Sequence, residues 1–157
     1  MIREGFSLIE LIVVVTIIGI LATVLTPYIL KTADNKAREL GVINAVRAIQ
    51  TALEMYAEKQ TSAPFYPTDL DILTATVNSL ASLVSPAIVN PFNNKRYLAA
   101  VYKKDDSTFY LGVEPGTETI VPGVILYEVS PEGKSYILTP YGANATVIHN
   151  LILTGNR

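Results

Sequence analysis

The sequence contains no cysteine. A disulfide and a thiolate metal site are both excluded, and thiols say nothing about its redox compartment. It has one histidine, His149, inside an apolar stretch that reads as a strand, which favours a structural role. No carboxylate follows Glu132. The glycines of "GVEPGTETIVPG" lack the spacing of a phosphate loop. Asp69/Asp71 and Asp105/Asp106 stand where helix caps and turns belong, so neither reads as an acid/base pair. No catalytic residue, no cofactor and no metal site is therefore expected, and an enzyme is disfavoured. Internal repeats and low-complexity tracts are also missing. Of the 12 Lys+Arg and 14 Asp+Glu residues, only Arg3, Glu4 and Glu10 precede Lys31, which leaves 11 and 12 for the rest. That near-neutral balance gives no electrostatic grip on nucleic acid. Lys95-Arg96 and Lys103-Lys104 read as solvated loop charges.

Charge is missing most conspicuously between Leu11 and Leu30. Twenty helical residues span about 30 Å, the thickness of a bilayer's hydrocarbon core. A secretory signal peptide would have a shorter apolar core and a small-x-small cleavage site after it. The nearest candidate, Ala22-Thr23-Val24, is poor. A plain membrane anchor fits the length. It does not account for Glu10, since an ionised carboxylate in hydrocarbon costs at least a few kcal/mol. Nor does it account for Gly5 at the polar-to-apolar boundary.

The stretch Gly5-Phe6-Ser7-Leu8-Ile9-Glu10, followed by the apolar run and Pro27, resembles the class III signal of type IV pilins and type II secretion pseudopilins. The resemblance is close over the first thirty residues and architectural beyond them. It implies that a membrane aspartyl peptidase, the prepilin peptidase, removes residues 1–5 by cutting after Gly5 and methylates the new amino terminus on Phe6. Family leaders often carry a basic residue just before the glycine, where this chain has Glu4. Arg3 and the amino terminus still leave the leader weakly positive, enough for a positive-inside orientation.

Cutting after Gly5 would place an ammonium on Phe6. Residues four apart share a helix face, so Glu10 lies near its own amino end. A second chain, stacked one step along, could equally offer its amine to this carboxylate. Either pairing neutralises two charges that are costly in an apolar core, and the inter-chain version would select the correct stagger. A carboxylate snorkelling at the membrane interface is the remaining alternative. Pro27 has no N–H, so the Thr23 carbonyl loses its usual helix partner. The Thr23 and Thr26 hydroxyls are placed to satisfy freed groups. Gly19 adds a second weak point. Gly19 to Pro27 therefore reads as a stretch that kinks or partly melts when lipid is exchanged for protein contacts, or else as a static kink. The resemblance to pilins implies the loosening.

Leu40, Ile43, Val46, Ile49, Leu53 and Tyr56 recur at steps of three or four and predict one apolar face. Lys36, Arg38, Glu39, Arg47, Glu54 and Glu58 read as the remaining surface. A continuous helix from about Phe6 to Lys59 would be roughly 80 Å long. "TSAPFYP" breaks it. A second helix is predicted from Thr68, with a capping-box-like Asp71 and a stripe of Leu70, Leu73, Val77, Leu80 and Val84, ending at Ser85-Pro86. Strands are predicted at 97–102, 108–113, 124–129, 135–138 and 146–153. Alternation in "KSYILT" and "ATVIHNLILT" predicts one packed and one wet face. Tyr28 and Tyr56 read as packing residues. Asn144-Ala145-Thr146 is a possible glycosylation sequon on an exposed turn.

The expected fold class is α+β and pilin-like: a long N-terminal helix whose apolar half protrudes and whose amphipathic half packs on a C-terminal antiparallel sheet. The expected organisation is a leader (1–5), a transmembrane and polymerisation segment (6–30), an amphipathic helical half (31–60) and a head (61–157). By resemblance, the leading expectation is a type IV pilus subunit, a homo-oligomer in a helical filament. It would be stored as a single-pass inner-membrane protein among lipid, then handed to a pilus or secretion assembly platform and carried to the cell surface. The major pseudopilin of a type II secretion system is the alternative, and a membrane-tethered binding domain is a more distant one. "NPFNNKRY" faintly resembles the aspartate-proline-tryptophan-glycine loop of pseudopilins, which implies an acid-rich calcium site near the carboxyl end. The lack of carboxylates after Glu132 does not support that site. The disulfide that usually closes the carboxyl-terminal loop of Gram-negative pilins is also missing. The last strand, ending close to Arg157, is expected to lock the terminus by sheet pairing instead.

Overall fold

The computed structural model describes residues 7–74, 79–84, 88–114, 116–117 and 119–157. Leu8–Glu58 forms one helix, α1, with Pro27 inside it. The chain divides into two compact units, with the boundary between Lys36 and Ala37. In the first, the described residues are α1 and its Ser7 cap, and every residue from Ser7 to Asp34 is exposed.

The second unit is a head built on about the last six turns of α1, from Ala37 onward. Val42, Ala45, Val46, Ile49, Ala52, Leu53 and Ala57 are buried there. Their steps of three and four make one face. Three of them, Ala45, Ala52 and Ala57, are alanines. The apolar pattern had placed that face slightly off. Val46, Ile49 and Leu53 are central, but Leu40 is 61% exposed, and Ile43 and Tyr56 sit at the margin of the core. Alanine carries too little apolar weight for the sequence pattern to centre the stripe on it. The helix ends in a tighter turn, with Lys59 N–H donating to Tyr56 O and Gln60 N–H to Ala57 O, both at 3.1 Å.

Five strands follow: β1 (Val101–Asp105), β2 (Thr108–Leu111), β3 (Ile125–Val129), β4 (Ser135–Pro140) and β5 (Leu153–Asn156). They pair antiparallel in sequence order, a simple meander. Phe109, Leu111, Ile125, Tyr127, Tyr136 and Leu138 point at α1 and are fully or nearly fully buried. The opposite face is drier than the alternation predicts. Tyr110, Val113, Val124 and Tyr141 form a second buried cluster, covered by Val121 and Val147. All four residues of β2 are buried.

Several predicted elements shift. The strand expected at 97–102 begins at Val101, and Tyr97–Ala99 form a turn. The strand expected at 146–153 is replaced by a 3-10 turn, His149–Leu151, and then β5. His149 is thus exposed on a turn rather than set in a strand. The predicted second helix is two short ones, α2 (Leu70–Thr74) and α3 (Leu80–Leu83). The Leu73 N–H bonds to Asp69 O at 3.2 Å, so Asp69 rather than Thr68 stands at the N-cap. Val77, Ser85 and Pro86 lie outside the described residues.

The carboxyl end is held by pairing: β5 lies against β4, and the Arg157 N–H donates to Lys134 O at 2.9 Å. Below it, the Glu54 carboxylate accepts from the hydroxyls of Tyr136 at 2.9 Å and Tyr66 at 3.3 Å, and faces Arg157 Nη2 at 3.8 Å. A side chain at Gly155 would collide with the Tyr136 ring and Glu54. Glycine there lets the last strand close over them.

Leu53→Ala is expected to destabilise the head by about 2–5 kcal/mol, and Leu40→Ala by no more than about 0.5 kcal/mol. Urea titrations followed by tyrosine fluorescence distinguish the two. Equal losses would contradict the burial pattern.

Candidate functional site

The candidate site is the apolar segment of α1 with its acid. Ser7 is the N-cap residue: its carbonyl accepts the first helical bond, from Leu11 N–H at 3.2 Å. Glu10 lies in the first turn, and its Oε2 accepts the Ser7 backbone N–H at 3.1 Å. That is one arm of a capping box, spelled Ser7-Leu8-Ile9-Glu10. The carboxylate is thereby turned back toward the amino end of the helix, where the macrodipole also favours negative charge. The pattern S-x-x-E was legible in the sequence. The i, i+4 relation between Phe6 and Glu10 points the same acid at the amino end, so the two spacings agree. Gly5 and Phe6, the expected cleavage and methylation positions, lie outside the described residues.

Between Leu8 and Leu30 the helix is long and apolar enough to cross a membrane by length and composition. None of its large apolar side chains is covered, from Leu8 at 77% exposure to Leu30 at 63%. Such a surface is stable only against lipid or against other apolar protein surface. Gly19 has open space where a Cβ would stand. Pro27 is accommodated without a break in this single-chain state. The hydroxyls act differently from the expectation. Thr26 Oγ1 donates to Ala22 O at 2.6 Å and Thr23 Oγ1 to Ile20 O at 2.8 Å. Each hydroxyl has one hydrogen to give, so neither satisfies the Thr23 carbonyl opposite Pro27. Thr16 bonds back to Ile12 O in the same way, at 2.7 Å. Such back-bonding competes with the helix ladder and favours bending.

In the head, two charges of α1 assigned to the solvent surface serve as anchors. Arg38 Nη1 donates to Pro91 O at 2.8 Å, with its guanidinium 5.9 Å from the centroid of the Phe92 ring. Glu39 Oε1 accepts from Ala143 N–H at 3.0 Å. Contacts across 53 and 104 residues leave no trace in local pattern. Asp105 caps its own turn as expected, accepting from Ser107 N–H at 2.9 Å. Asn144 is exposed on the turn between Tyr141 and Val147.

Residues 1–26 match the family model of the prokaryotic N-terminal methylation motif. Similarity also reaches into the head. Type II secretion system core protein G of Pseudomonas aeruginosa is 29% identical over 136 residues, 84% of this chain and 86% of that protein. Its namesake in Escherichia coli K12 is 29% identical over 118 residues, 73% and 74% of the two chains. That of Klebsiella michiganensis is 33% identical over 89 residues, 57% and 55%. The chain is thus similar to type II secretion system core protein G over most of its length. No solved structure matches it. The methylation motif ends one residue before Pro27, and it includes Ser7, Glu10 and Gly19.

Buried phenols give the head a pH limit. Burial raises the Tyr136 hydroxyl far above its ordinary value, and the bonded Glu54 carboxylate adds to this. Tyr127 and Tyr97 are raised by burial as well. The folded chain then holds protons that the unfolded chain releases above about pH 10. Stability is fully present below that pH and falls above it. Denaturation midpoints are expected to decline from about pH 10 upward, less steeply in Tyr127→Phe. Midpoints that do not change with pH across that range would contradict the assignment.

Proposed function

We propose that this chain is the structural subunit of a type II secretion pseudopilus, a non-catalytic protein that polymerises through the apolar part of α1. The observation that carries the reading is the wholly uncovered apolar helix headed by a capping carboxylate, in a chain whose relatives are named core protein G. In this reading the chain waits in the inner membrane as a single-pass protein with its head outside the cytoplasm. The prepilin peptidase cuts after Gly5 and methylates Phe6. The new ammonium lies next to Ser7, whose amide already faces Glu10. An ion pair with this amine, or with that of the next subunit, removes the cost of a bare carboxylate in a dry bundle. Lipid already solvates the apolar side chains, so the gain on assembly comes from close packing, charge pairing and the work of an assembly platform.

The type IV pilus subunit, the leading expectation from the sequence, becomes the second reading. That segment is common to both filament types. Similarity running through the head, over 84% of the chain, favours secretion. A simple membrane tether explains the helix but leaves the methylation motif without a purpose.

Intact-mass measurement on protein from the native cell tests the reading: loss of residues 1–5 with one added methyl group is expected. A retained Met1 would overturn it. Glu10→Ala is expected to insert normally but to lose assembly, because an unpaired buried charge costs about 3–5 kcal/mol. Wild-type filament yield from that variant would refute the pairing. A bulky residue in place of Gly5 should block cleavage and leave the chain in the bilayer.

A further inference from the structure

Two loops meet at one corner of the head: residues 90–97 after α3, and residues 112–123 between β2 and β3. Asn90 is fully buried between them. Its Nδ2 donates to Gly112 O and to Pro122 O, both at 3.2 Å, and its Oδ1 accepts from Phe92 N–H at 2.9 Å. Asn93 Nδ2 donates to the same Gly112 carbonyl at 2.8 Å. The Tyr97 hydroxyl donates to Gly123 O at 2.6 Å. Lys95 Nζ stands 2.6 Å from Glu114 Oε1. At Gly123, with φ +77°, a Cβ would collide with Asn90 and Phe92.

The loop NPFNNKRY, which carries the faint pseudopilin resemblance, forms one side of this corner, and that resemblance implies an acid-rich calcium site following it toward the carboxyl end. Calcium requires six to eight oxygen ligands, several of them carboxylates. The donor set here is of the opposite kind. The Gly112 and Pro122 carbonyls already receive N–H hydrogens, which would repel a cation. Glu114, the one described carboxylate in the two loops, is neutralised by Lys95. Glu118 lies outside the described residues. Among the described residues no three His, Cys, Asp or Glu side chains gather. The residues do not fit the ion.

We propose that this corner is a metal-independent clamp, in which the amide of Asn90, with Asn93 and Lys95, gathers the oxygens of the second loop by N–H donation as a calcium ion would by its charge. Two hydrogens on one nitrogen bridge two carbonyls that are ten residues apart in sequence. The ammonium of Lys95 adds the positive charge at the rim. Head stability is then independent of calcium.

Thermal unfolding of the full chain in detergent, followed by near-ultraviolet tyrosine dichroism, tests this. Midpoints in EDTA and in millimolar calcium chloride are expected to coincide. A ligand of the folded state in excess would raise the midpoint by mass action, so a calcium-induced rise of several degrees overturns the proposal. Asn90→Asp removes both donors and sets a carboxylate against two carbonyls. Its midpoint in EDTA is expected to fall by several degrees, and an unchanged midpoint overturns the proposal. Asn93→Ala serves if that variant fails to fold. It removes one donor from Gly112 O and leaves Asn90 in place. A smaller loss, equal with and without calcium, is expected; no loss, or recovery with calcium alone, overturns the clamp. These melts read the single chain, so failure here leaves the filament reading untouched.

Discussion

A helix that is apolar on every side from Leu8 to Leu30, apart from one acid near its start, cannot cover itself. Apart from the Thr23 carbonyl opposite Pro27, its interior backbone groups are satisfied within the helix, which suits a hydrocarbon surrounding. Its large apolar side chains are all left uncovered by the described chain. This constraint organises the rest of the molecule. The polypeptide must keep one segment soluble in hydrocarbon while the same helix, some turns later, serves as the spine of a water-soluble head. Composition changes accordingly at Lys31, and burial within the chain begins at Val42.

Within that arrangement Glu10 matters more than its size suggests. A carboxylate in the first turn is favoured by the helix dipole and by the Ser7 N–H, so it is tolerated before any assembly. The same orientation holds it toward the place where proteolysis would create an amine. In the proposed reading one side chain caps the stored form and pairs in the polymer. The hydroxyls of Thr16, Thr23 and Thr26, which return to carbonyls one turn back, compete with the helix ladder along its uncovered surface.

The head uses polar contacts to fix what apolar packing leaves free. Its core residues are interchangeable in kind, but Arg38, Glu39, Glu54 and Asn90 each tie a particular loop or strand to a particular place. Glu54 draws together two tyrosines and Arg157, and so joins the end of the chain to its helix. Asn90 joins two loops through carbonyls that hydrophobic burial could not orient. A head of this size without a disulfide depends on such contacts for a single arrangement.

The amino acid order by itself determined the uncovered helix, its acid, the α+β class and most of the strands, because these follow from local periodicity and from runs of like residues. It also contained the Ser7–Glu10 cap, which needs only a three-residue spacing. Tertiary structure alone decided that Leu40 faces out while Ala45 and Ala52 face in, since burial depends on what approaches a face and not only on its polarity. It decided that His149 sits on a turn, that the outer sheet face is partly dry, and that Arg38, Glu39 and Asn90 are anchors. Each of those contacts joins residues far apart along the chain, and their free energy exists only once the chain has closed.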